Sequence, residues 1–126
     1  MSDRDPEVLE AFAEESVERL QALEQGLLAL EQARLAPPAG LLDELFRNAH
    51  SVKAGAGLLG LRGLERAAHS LENVLDHLRG GRLEATDDVV TALLHGVDLL
   101  RDLMGDGGDP RGMRQTLATL QHYANR

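Results

Sequence analysis

The chain is 126 residues long, carries 21 acidic against 13 basic residues for a net charge of −8, and contains no cysteine. That length holds one core of about domain size, the negative balance repels a phosphate backbone and so argues against nucleic acid, and the lack of cysteine removes disulfides, thiolate metal sites and cysteine nucleophiles. No stretch approaches the ~20 apolar residues that cross a bilayer, so the expectation is a soluble, cytoplasmic chain with residues 1–126 as a single domain and no membrane insertion.

The abundant Leu, Ala, Glu and Arg are helix formers, which points to an all-α class. Asp5-Pro6-Glu7 reads as N-cap, first helical residue and acidic first turn. Leu9, Phe12, Leu20, Leu23, Leu27 and Leu30 then recur on one face, giving a first helix over 6–35 that stops near Pro37-Pro38. A second, over 40–59, buries Leu42, Leu45, Ala49, Val52, Ala56 and Leu59 at steps of three and four. The third, over 62–79, ends at Gly80-Gly81. Thr86-Asp87-Asp88 caps a fourth over 87–104, with two acids favourably placed against the helix dipole. "GDGGD" at 105–109 breaks the pattern without the alternating ligands of a calcium loop, and Asp109-Pro110 opens a fifth helix over 110–124. Short connections favour antiparallel neighbours, so the predicted architecture is an up-and-down antiparallel four-helix bundle with an additional C-terminal helix.

Within the second helix, "NAHSVKAGAGLLG" (48–60) sets a histidine and a lysine ahead of Ala54, Gly55, Ala56 and Gly57. Helical glycine costs roughly 1 kcal/mol against alanine, so two in three residues need a reason. On an ideal helix, with Leu42 at zero, the apolar stripe centres near −40° and His50 falls at about +80°, flanked by Phe46, Lys53, Ala54 and Gly57. The small neighbours are expected to leave His50 open to a large partner, with Phe46, Ala54 and Gly57 on its docking side. On the third helix Glu65, His69, Glu72 and Asp76 share one polar flank. If the two helices run antiparallel, Glu72 can accept the Nδ1–H of His50 and leave Nε2 unprotonated and nucleophilic.

Taken singly, most of these residues have ordinary explanations. Lys53, Glu65 and Asp76 would be solvated charges, His77, His95 and His122 solvated side chains, His69 a surface contact, and Gly55 and Gly57 signs of close helix packing.

Taken together, "LFRNAHSVKAGAGLLGLRGLERAAHSLENVLDHLRGG" (45–81) resembles the signature of the histidine phosphotransfer (HPt) domain of CheA-type chemotaxis kinases. The match lies in the histidine followed by serine, a β-branched residue and lysine, the small-residue run, and the later H-x-x-E-N. The resemblance implies that His50 is phosphorylated on Nε2 by a kinase ATP-binding domain, in the same or another chain, and passes the phosphoryl group to a response-regulator receiver aspartate. It further implies an orienting role for Glu72 and accessory roles for Lys53 and His69. The family commonly has glycine where this chain has Ala54, which puts an extra methyl on the approach to the ring.

With no glycine-rich nucleotide loop, the domain alone reads as a phosphoryl carrier and part of a CheA-type kinase, with ATP and Mg on the partner kinase domain and no cofactor or metal of its own. Two other readings compete. One is a metal-binding bundle using His50, His69 and Glu72, but di-iron bundles place Glu-x-x-His pairs in the core, and here the order and the face are reversed. The other is a phosphorylation-incompetent interaction bundle, which leaves Lys53 and Glu72 without a purpose.

Overall fold

The structure, a computed structural model, describes residues 5–33, 36–104 and 110–125. Among them are α1 (Pro6–Gln32), α2 (Leu41–Leu58), α3 (Arg62–Arg79), α4 (Asp87–Met104) and α5 (Pro110–Ala124), with no strand. α3, α4 and α5 have the limits expected from the sequence. α2 is shorter by one residue at each end, and α1 ends at Gln32 rather than 35, with residues 34–35 outside the described set. The physical reason lies just beyond α1: Ala33 N–H is shared between the carbonyls of Ala29 and Leu30, tightening the last turn, and the chain then turns towards Pro37, whose ring disfavours helix in the preceding residue. The 105–109 break and its Asp109 cap lie outside the described residues.

Local chemistry sets the other ends. Asp5 Oδ1 accepts from Glu7 N–H at 2.9 Å ahead of Pro6, and Thr86 Oγ1 accepts from Val89 N–H at 3.3 Å at the start of α4. α2 and α3 both close through a left-handed glycine, Gly60 (φ 72°) and Gly81 (φ 75°). In each case the residue after the glycine donates five residues back, Leu61 to Ala56 and Arg82 to His77, which satisfies carbonyls the helix leaves open.

α1 to α4 form a closed ring, each packing on its chain neighbours and α1 on α4, while α5 packs on α3 and α4. Side-chain encounters reveal the register. Along α1, Phe12 and Arg19 meet Gly55 and Asn48 of α2, and Gly26 lies against Leu45 and Leu41. Along α2, Asp43, His50 and Gly57 meet Arg79, Glu72 and Glu65 of α3. A seven-residue step forward on α2 matches seven backward on α3, the register of antiparallel neighbours in a helix bundle. The core it encloses is mostly leucine, with Leu23, Leu27, Leu71, Leu75, Leu93 and Leu100 all inaccessible. Gly96 lets three helices close: a Cβ there would lie 2.8 Å from Leu71 Cδ1 and 3.2 Å from Leu120 Cδ1.

Candidate functional site

The α2–α3 register brings His50 and Glu72 together at mid-helix. His50 is 55% exposed and Glu72 only 7% by side chain, and His50 Nδ1 lies 2.5 Å from Glu72 Oε2. Lys53, one turn along α2, donates its Nζ to the other oxygen, Oε1, at 2.7 Å. His69 Nδ1 is 3.7 Å from Oε1, beyond a direct hydrogen bond.

Burial works to raise the pKa of Glu72, but the hydrogen bonds and charges of Lys53 and His50 outweigh it and hold the carboxyl below its ordinary value. An ionised carboxylate can only accept, so Nδ1 must carry the proton. In the neutral ring, Nε2 then holds the lone pair, and it makes no protein hydrogen bond among the described residues. The site therefore presents one nucleophilic nitrogen towards solvent. The Lys53 cation shares the Glu72 carboxylate, and among the described residues no group of three His, Asp or Glu side chains could hold a metal ion.

Phe46, one turn before His50, stacks on the imidazole with centroids 6.1 Å apart and planes 13° from parallel. The Arg79 guanidinium lies over the Phe46 ring, 3.8 Å from its centroid. Arg79 is held in turn by Asp76 at 2.7 Å and Asp43 at 3.6 Å. Its hydrogen bond lowers the pKa of Asp76 and, reciprocally, raises that of Arg79. Sequence reasoning did not single out Arg79 or Asp43, because only the interhelix register connects positions 43, 46 and 79.

The small-residue cluster has a different purpose along most of its length. Ala54 is exposed, one turn from His50. Gly55 faces α1, where a Cβ would fall 2.5 Å from Phe12 Cε1, and Ala56 is fully buried. Gly57 is half-buried and is met by the end of the exposed Glu65 side chain, whose Oε2 would be 2.5 Å from a Cβ. Close packing thus explains Gly55 and Ala56, while Ala54 keeps the ring's surroundings low on the outer face. A correction concerns His77. It is half-buried rather than simply solvated, and its Nε2 donates to the Ala124 carbonyl at the end of α5. His95 and His122 are exposed, as expected, with His122 edge-on to Tyr123.

The pattern of the Hpt domain family matches residues 7–103. This chain belongs to the Hpt domain family. Relatives of this Hpt domain include the chemotaxis protein CheA of Rhizobium meliloti, 39% identical over 94% of the chain, and that of Listeria monocytogenes, 34% identical over 90%. The chain spans only 16% and 19% of those proteins' lengths. Among solved structures, the phosphorylated P1 domain of CheA3 in complex with CheY6 from R. sphaeroides superposes with a TM-score of 0.84 at 26% identity, covering 97% of this chain and 98% of that one. The Hpt domain's all-α bundle is thus the fold of a domain seen both phosphorylated and engaged with CheY6. Among its described residues no helix is long and apolar enough to cross a membrane.

Proposed function

We propose that this domain is a phosphoryl carrier of a chemotaxis-type relay. His50 accepts a phosphoryl group on Nε2 from a kinase domain that holds ATP and Mg, and yields it to an aspartate of a receiver domain. The observation that carries the reading is the half-exposed imidazole whose Nδ1 is tied, at 2.5 Å, to a buried carboxylate. Dependence on a partner's ATP favours a cytoplasmic relay, and the likeness to a P1 domain in complex with CheY6 supports a receiver as the acceptor.

In the forward step the Nε2 lone pair forms an N–P bond to the γ-phosphorus as the P–O bond to ADP breaks, with ADP taking the electron pair. No proton need leave the ring. Nδ1 keeps its proton, so the imidazole becomes cationic and Glu72 stabilises the developing charge from 2.5 Å. Lys53 keeps that carboxylate ionised and fixed. In the return step a carboxylate oxygen of the receiver attacks phosphorus, the N–P bond breaks, and the electron pair returns to Nε2. His50 is then neutral in the same tautomer, ready for another cycle. The domain contributes orientation and charge stabilisation to both directions.

The deciding experiment is incubation with a cognate CheA-type kinase and labelled ATP. An acid-labile, base-stable phosphate should form and disappear in His50→Gln. Label that persists in this variant, or maps to His69, refutes the assignment.

A further inference from the structure

We infer that Arg79 is a positioning residue for His50, acting through the ring of Phe46; the inference rests on His50 being the phosphoryl acceptor. A single hydrogen bond at Nδ1 fixes one atom of the imidazole and leaves the ring able to pivot about that bond. The pivot matters because the Nε2 lone pair lies in the ring plane and must point at phosphorus for in-line attack. A second constraint therefore has to set the plane, and at 55% exposure the protein interior does not supply it.

Phe46 supplies it. Its ring lies 13° from parallel to the imidazole, with centroids 6.1 Å apart, an offset stack that resists rotation of the smaller ring. Phe46 is only partly buried and needs support of its own. The Arg79 guanidinium, 3.8 Å from its centroid, meets the negative face of the π-system. Asp76 and Asp43 then fix the guanidinium from two helices, α3 and α2. The result is a relay of contacts, carboxylates to guanidinium to phenyl to imidazole, that runs beside the Glu72–Lys53 arrangement and constrains a different degree of freedom. Glu72 sets the tautomer; the Arg79–Phe46 stack sets the plane. A planar guanidinium can lie flat on a ring in a way a lysine ammonium cannot, so the arrangement is specific to arginine.

The test is made on the whole chain as wild type, Arg79→Gln, Arg79→Lys, Phe46→Leu, the Arg79→Gln/Phe46→Leu double variant, and Asp43→Asn. Asp43→Asn weakens the tie between the helices while leaving Arg79 its Asp76 partner. Two readouts are taken: the NMR shifts of the His50 ring protons and nitrogens, which need no phosphorylation, and single-turnover phosphorylation at saturating kinase and ATP. In Arg79→Gln the His50 ring-proton shifts should move towards those of a free imidazole and the single-turnover rate should fall about threefold, the size a surface cation–π contact allows. Arg79→Lys should recover part of both effects. Phe46→Leu should match the loss, and the double variant should be no slower than Phe46→Leu alone, because both changes break one relay. Asp43→Asn, which leaves Arg79 its closer Asp76 partner, should give the same change as Arg79→Gln in smaller measure.

Unchanged His50 shifts in Arg79→Gln would overturn the inference, as would additive rate losses in the double variant. If wild type accepts no label yet Arg79→Gln moves the ring shifts, the phosphoryl-acceptor reading fails while the positioning contact stands.

Discussion

Glu72 and His50 meet with opposite exposures: the carboxylate is buried at 7% and the imidazole it holds is 55% open to solvent. The buried partner is thus insulated from water while the reactive one is available, and the hydrogen bond between them is stronger than the same pair would be on a surface.

Replacing Glu72 by Gln or Ala should free the imidazole to take either tautomer and remove the charge facing Nδ1. We expect phosphorylation to slow about tenfold, which corresponds to roughly 1.4 kcal/mol of barrier. Burial adds a structural cost, since Lys53 loses its charged acceptor in Gln and its acceptor altogether in Ala, and unfolding should be easier by about 1 to 2 kcal/mol. Single-turnover labelling and urea denaturation check the two effects separately. A wild-type labelling rate in both variants would show that the contact has no part in transfer.

The same carboxylate makes a pH prediction. Because its folded-state pKa lies below the ordinary value of 4.5, the ionised form is favoured by folding. Its contribution is present in full above that value and is lost as pH falls through the lower, folded-state one. The stability gap between wild type and Glu72→Gln should therefore shrink as the solution is made more acidic than the ordinary value. Urea midpoints at several acidic pH values measure it, and a gap that holds or grows through that range contradicts the sign.

Ala54 stands on the exposed side one turn from the ring. Ala54→Gly should speed exchange with the partner while costing up to ~1 kcal/mol of helix stability. Ala54→Leu should cover the ring and slow transfer markedly. If the leucine variant transfers as fast as wild type at saturating partner, the approach does not cross this face.

Two glycines should respond to alanine with opposite signs. At Gly96 the new methyl would crowd Leu71 and Leu120, both fully buried, so Gly96→Ala should lose about 1 to 2 kcal/mol even after its gain in helix propensity. At Gly63 the nearest heavy atom to a Cβ is Leu103 Cδ2 at 3.9 Å, an ordinary contact, and Gly63→Ala should stabilise by about 0.5 kcal/mol. Thermal melts of both variants decide it.

What could be read from the sequence was whatever one helix encodes alone. The limits of α3, α4 and α5 follow from glycines, a threonine cap and a proline, all local signals, and rotation about single helices placed His50 and Glu72 on facing flanks. The end of α1 escaped because its apolar repeat and its prolines leave several residues unassigned between them. A helical wheel gave the direction of Gly57 but not the Glu65 side chain that reaches it across the groove. Arg79 needed the register between helices, and His77 needed a carbonyl 47 residues away.

The seven-residue matching of α2 to α3 has a consequence for copies of the chain that are not fully assembled. Sliding one helix by a single turn, about 5.4 Å, would carry Glu72 away from His50 and Arg79 away from Phe46 at once, because both encounters depend on the same alignment. A slipped or partly unravelled bundle would still expose its histidine, yet with an unheld ring and a mixture of tautomers. Such a copy would lose both constraints together and transfer more slowly by the combined effect of the two. One packing event thus couples the tautomer and the plane of the ring.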